Sequence, residues 1–108
     1  MIKIALAVSL LAGMTGLAFA GTGNGKVLHI SPLPGDVVIF ATQIHSSKPA
    51  CSTAGNDWTI KLDTETGRAT YALLLSAASL NKPITVYGTN DCRHWGDREA
   101  VERIVVGY

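Results

Sequence analysis

The stretch WTIKLDTETGRATYALLLSAASLNKPITVY, residues 58–87, changes its period twice, and those changes decide the fold class. Trp58, Ile60 and Leu62 alternate with Thr59, Lys61 and Asp63, the pattern of a strand with one dry face. From Arg68 to Asn81 the chain turns to Ala and Leu, which enter helices at little cost, and Thr66 or its neighbours can cap the start. Pro83 lacks an amide hydrogen and its ring clashes with the preceding turn, so this helix must stop near Asn81. Alternation then resumes, with Ile84 and Val86 inward and Tyr87 outside the apolar pattern.

On the N-terminal side, residues 26–30 alternate with Leu28 and Ile30 on one face, and Pro32, Pro34 and Gly35 force a turn. Residues 36–45 are rich in β-branched side chains, with Val38, Phe40, Thr42 and Ile44 sharing a face. Residues 46–57 are polar and read as a loop, and the glycine-rich residues 21–25 read as a flexible leader with too little side chain to pack. On the C-terminal side, residues 89–99 are the most polar stretch. Residues 100–108 close the chain as a strand with Ile104, Val106 and Tyr108 on one face. The order β-β-β-α-β-β predicts a mainly β domain with one helix, an OB-fold-like five-stranded Greek-key barrel closed at one end by that helix. A two-layer α+β sandwich has the same order. Trp58, Ile60 and Leu62 are expected to line the core opposite Val38 and Phe40.

At 108 residues, 47% of them apolar and 16% charged, the chain has room for one domain and is too apolar for disorder or a coiled coil. Lys3, the apolar run over residues 4–11 and the ending Ala18-Phe19-Ala20 read as a secretory signal peptide over residues 1–20, cut before Gly21. A membrane anchor is the competing reading, but no basic stop follows the run. The single OB-like domain is then residues 21–108, with a secreted or periplasmic location expected. Removing Lys3 from nine basic residues leaves them balanced against eight acidic ones. A neutral chain without a basic cluster excludes nucleic acid and insertion into anionic membranes as expected partners. The two cysteines, Cys51 and Cys92, read as one disulfide because an exported chain folds in an oxidising compartment. Closing so long a loop is worth roughly 4 kcal/mol by chain entropy.

Motifs for catalysis are absent. Gly25-Lys26 is followed by Val27, so the glycine leader fails as a phosphate loop, and no G-x-S-x-G, H-E-x-x-H or EF-hand pattern occurs. Of the three histidines, His29 and His45 read as solvated strand residues, while His94 has Asp91, Asp97 and Glu99 nearby in sequence. One histidine among scattered loop carboxylates is a weak pattern for a metal, and no cofactor, metal or enzymatic activity is expected. Binding is better supported. Tyr87 and Trp95 are large aromatics outside the core pattern, and Asp91, Arg93, Asp97 and Arg98 lie near Trp95. An aromatic plate rimmed by planar hydrogen-bonding groups suits a sugar, whose rings have apolar faces and polar edges. The competing reading has Trp95 plugging a barrel end. The helix is apolar on more than one side. Ala69, Leu73, Ala77 and Leu80 are expected against the barrel, while Tyr71, Leu74, Leu75 and Ala78 form a second surface suited to another copy.

Three segments carry a family resemblance: TQIHSSKPAC (residues 42–51), YALLLSA (71–77) and KPITVYGTNDC (82–92). Together they resemble the B subunits of pertussis-type and subtilase-cytotoxin-type AB5 toxins and their small secreted bacterial homologues. The resemblance implies an OB-fold, a pentameric ring with helices lining its pore, a cell-surface glycan as ligand and an enzymatic A subunit as partner. No glycan-contacting residue is carried over from those subunits. The tail WGDREAVERIVV, residues 95–106, is closer to the stand-alone homologues. A stand-alone periplasmic or secreted structural protein without a ligand is therefore the alternative to a glycan-binding subunit.

Overall fold

The computed structural model describes residues 20–108, so the expected signal peptide, apart from Ala20, lies outside the described residues. Strands β1 (Thr22–Leu33), β2 (Val37–Ser46) and β3 (Asp57–Lys61) precede helix α1 (Glu65–Ser79), and β4 (Ile84–Gly88) and β5 (Glu99–Val106) follow it. The strands close into a barrel in the order β1-β2-β3-β5-β4, with β4 returning to β1. Every pairing is antiparallel except β3 with β5, which run parallel through Trp58–Glu99 and Thr59–Ala100. This is the expected β-β-β-α-β-β, OB-like architecture.

The glycine leader is not a leader. β1 begins at Thr22, pairing with Ser46 of β2 on one side and Tyr87 of β4 on the other. Backbone pairing needs no side chain, and here a side chain would obstruct it. A Cβ on Gly23 would stand 2.7 Å from Cζ2 of the buried Trp58. The alternation expected in β1 and β2 is broken by irregular pairing between Asn24 and His29. Val27 and Ile30 pack on the core while Leu28 is exposed. In β2 the inward set runs Val38, Phe40, Thr42 and then shifts to His45, leaving Ile44 outside. The Thr42 hydroxyl donates to the Ile44 carbonyl at 2.8 Å, which fixes this local change of phase.

Trp58, Ile60, Val38 and Phe40 are all buried in one cluster with Val86, Ile84 and Ile104, and Leu62 packs at its edge. The core expected from the alternation is therefore present. Thr59, expected on a wet face, is buried as well, with its hydroxyl 3.3 Å from the Glu99 carbonyl. The far side of β3 is covered because the loop after β2 folds onto the loop before β5, where the Thr53 and Ala54 amides reach the Asp97 carbonyl.

α1 starts three residues earlier than its composition suggested. The Thr64 hydroxyl caps it by accepting from the Gly67 amide at 2.9 Å. It ends at Leu80, where Asn81 takes a left-handed φ of 55° and the Asn81 and Lys82 amides return to the Ala78 and Ala77 carbonyls. Pro83 follows this cap. The helix is rotated from its expected setting: Leu74 and Ala77 are fully buried, Leu73 and Tyr71 pack at the cluster edge, and Ala69 and Leu80 face outward. Gly67 accounts for the rotation. A Cβ there would overlap the Lys61 carbonyl, so the glycine lets the first turn sit directly on the end of β3 and points Leu74, two turns on, into the barrel.

Phe40→Ala is expected to destabilise the domain by about 3–5 kcal/mol, because it empties a fully buried aromatic site. Lys61→Ala loses one exposed hydrogen bond to the Gly35 carbonyl and should cost less than about 1 kcal/mol. Urea unfolding of both variants checks the strand phase; comparable losses would contradict it.

Candidate functional site

Two regions concentrate polar chemistry, one buried and one exposed. The buried one is centred on Glu99, the first residue of β5, whose side chain is wholly shielded from solvent. Its Oε1 lies 2.8 Å from Nε2 of His45, and its Oε2 accepts from the Gly21 amide at 3.0 Å and the Asn90 amide at 2.9 Å. The His45 ring stacks on Trp58, with centroids 3.6 Å apart and planes 14° from parallel. Trp58 in turn donates to Thr42 Oγ1 at 3.1 Å. Burial pushes the His45 imidazole below its ordinary value, Glu99 pulls the other way, and nearby Lys48 adds to the lowering. A neutral ring with its hydrogen on Nε2 fits the geometry, since Nδ1 is buried without a hydrogen-bond partner.

His45 is thus not the solvated strand residue that its position suggested, and Glu99 is not a loop carboxylate near His94. Glycine was the available signal. Gly21, Gly23 and Gly88 have no turn to make, yet a Cβ on Gly21 or Gly88 would overlap the Glu99 carboxylate. Three glycines with ordinary backbone angles mark a place where something bulky approaches the main chain.

The exposed region is the segment of residues 89–98 between β4 and β5. The Cys51–Cys92 disulfide, expected from the sequence, joins it to the β2–β3 loop with the two Cα atoms 6.2 Å apart. Arg98 adds a second tether, donating to Asp57 at 2.8 Å and to Asp97. Asp57 also faces His29, which is outward as expected, at 3.2 Å. On this braced segment Asp91 and Arg93 form a two-pronged pair, with Nε to Oδ1 at 2.8 Å and Nη2 to Oδ2 at 2.6 Å. Hydrogen bonding from Arg93 holds the Asp91 carboxyl down to about 2. Trp95 is 39% exposed and forms an isolated bridge with Arg98, so it does not plug the barrel.

Asp91, Arg93 and Trp95 therefore share one segment, as expected, but Tyr87 is engaged elsewhere. Its ring lies on β4 under the Arg103 guanidinium, 4.3 Å from the centroid. His94 borders a cleft of about 150 Å³ beside the start of α1, with Lys61, Asp63, Thr64 and Glu102. Burial, with Arg93 and Lys61 adding to it, pushes its imidazole below the ordinary value. Among the described residues no three potential metal ligands converge.

Of the surface expected to bind another copy, Leu75 is 43% exposed, while Tyr71 and Ala78 are half-buried. Leu74 does not belong to it: the docking of Gly67 on β3 turns Leu74 into the core at 0% exposure. No protein-family model matches the chain, and no curated protein or solved structure matches it.

The lowered His45 value carries a sign for stability. Below about pH 6.5 the unfolded chain binds a proton that the folded imidazole resists, so stability falls as pH drops through that point. His94 acts in the same sense. The urea midpoint of the native protein is expected to fall as pH is lowered from about 6.5, and His45→Gln should reduce that slope without abolishing it. An unchanged slope in the variant would remove His45 from the account.

Proposed function

We propose that the protein is a secreted, non-enzymatic glycan-binding subunit resembling an AB5 toxin B subunit, which presents its 89–98 segment to a cell-surface glycan. The observation that supports this reading most is the exposed Trp95 on a braced loop, two residues from the Asp91–Arg93 fork. The indole supplies an apolar plate for the face of a sugar ring. Asp91 stays ionised over nearly the whole pH range and, with Arg93, offers acceptors and donors for ring hydroxyls. A loop tied at Cys92 and Arg98 loses little further freedom on binding, which favours affinity. Tyr87, already covered by Arg103, contributes less to this surface than the sequence suggested.

Single sugar sites are weak, and several copies in one assembly compensate. The outer face of α1 supports a second copy of this chain as the neighbour. Ala72, Ser76 and Ser79 are exposed there and small enough for helices to approach closely, with the exposed Leu75 and Leu80 as the apolar contacts. A closed ring, a pentamer by resemblance, uses the same faces on every copy, with an enzymatic A subunit as the further partner that the resemblance implies.

A glycan array with the protein of residues 21–108 is expected to show selective binding that Trp95→Ala reduces at least tenfold, about 1.4 kcal/mol, with unfolding unchanged. Absence of any glycan signal would favour the stand-alone structural alternative. In light scattering an oligomer is expected, which Leu75→Glu dissociates into folded monomer. Leu74→Glu, by contrast, is expected to unfold the domain, because it buries a carboxylate in the core. A native monomer at micromolar concentration would end the ring reading.

A further inference from the structure

Glu99 presents a problem that the described residues leave open. Its side chain is 0% exposed, and a carboxylate so buried is costly unless charge and hydrogen bonds compensate it. All three of its donors are neutral as they stand: the Gly21 amide, the Asn90 amide and the His45 ring. Among the described residues, Arg93 and Arg98 pair with Asp91, Asp57 and Asp97, and no lysine or arginine pairs with Glu99.

One of those donors changes its charge if the chain is processed where the sequence says it is. The Ala18-Phe19-Ala20 ending places the cut on the bond before Gly21, and it is the Gly21 nitrogen that lies 3.0 Å from Glu99 Oε2. We propose that cleavage after Ala20 builds the new amino terminus into the core, with the α-ammonium of Gly21 as the counter-ion of the buried Glu99 carboxylate. A signal peptidase adds water across the Ala20–Gly21 peptide bond. Ala20 leaves with a carboxylate, and the Gly21 nitrogen gains the protons that make it a cation.

The surroundings of Gly21 fit this role and no larger residue. Its carbonyl accepts from the Gly88 amide at 2.9 Å, holding the residue beside β4. A Cβ on Gly21 would overlap the Glu99 carboxylate and stand 3.0 Å from His45 Nε2. The groups facing the nitrogen are Glu99 from β5, His45 from β2 and the uncharged Gly88 and Asn90 backbone, with Lys48 felt through His45. Removal of the signal occurs as the chain emerges, before folding, so burial of the finished terminus is no obstacle to cleavage. The amide of an uncut chain offers the same hydrogen bond without the charge, and charge-assisted bonds are roughly twice as strong.

The test compares four forms, two termini each with and without the Glu99 carboxylate. The full chain is exported, its first residue is read by intact mass, and Gly21 is expected. That protein is then compared with a form retaining Ala20 behind an added Met, and with Glu99→Gln in both backgrounds. The authentic Gly21 amine is expected to react with an acylating reagent at neutral pH about tenfold more slowly than the extended terminus. The authentic form should also unfold at higher urea. An amine held by a carboxylate has its pKa raised above the unfolded value of about 8, so this advantage is complete below that pH and disappears as pH rises through the raised value. Glu99→Gln should erase the difference between the two termini. Should Glu99→Gln not fold, the acylation rate and the pH-dependent difference between authentic and extended forms decide alone. A mature terminus other than Gly21, equal acylation rates, or equal stability at neutral pH would overturn the proposal. No readout involves a sugar, so its failure and that of the glycan reading are separable.

Discussion

A carboxylate sealed from water must draw its hydrogen bonds from the fold, and Glu99 draws them from the residue before β1, from the end of β2 and from the β4–β5 segment. Residues 21, 45 and 90 thus converge on residue 99. The pairing of β3 with β5, the only parallel one in the barrel, begins at Glu99 itself. The same residue therefore fixes where β5 starts, where β1 enters and which way His45 points. Loss of its partners would leave a buried charge, so the closing of the barrel and the satisfaction of Glu99 are one event.

Around this buried end the molecule divides its polar groups by purpose. The inner set, from Glu99 through His45 to Trp58 and Thr42, is enclosed and aligned by stacking and hydrogen bonds. The outer set on residues 89–98 is exposed but held by covalent and ionic tethers, Cys51–Cys92 and Arg98–Asp57. Ser52 joins the two: its hydroxyl accepts from the Glu99 amide at 3.3 Å, one residue from Cys51. A loop braced in this way can carry an exposed indole without collapsing onto the barrel.

The helix depends on one small residue in a similar manner. Gly67 seats the first turn on the Lys61 carbonyl, and the 3.6-residue period then determines which side chains are wet. Leu74 falls inward and Leu75 outward. Adjacent leucines of the same chemistry thereby take opposite places, one in the core and one on the exposed face of the helix.

Much of this was legible in the chain. The shift from period two to an Ala/Leu run and back, with Pro83 after it, determined the element order, and the strand alternation determined that Trp58, Ile60, Val38 and Phe40 meet. The two cysteines were visible as a brace because residue type carries that information. The sequence left Trp95 open between an exposed ring and a barrel plug, and the tertiary structure decided for exposure. Periodicity is a local property, however, and it says nothing of how far an element is rotated or what a distant segment brings. The setting of α1 came from a contact between Gly67 and Lys61, and the break in β2 from Thr42 turning to its own strand. The glycines before β1 read as slack because they lack side chains. Only closure of the barrel, which brings residue 21 against residue 99, made that lack the requirement for a buried carboxylate.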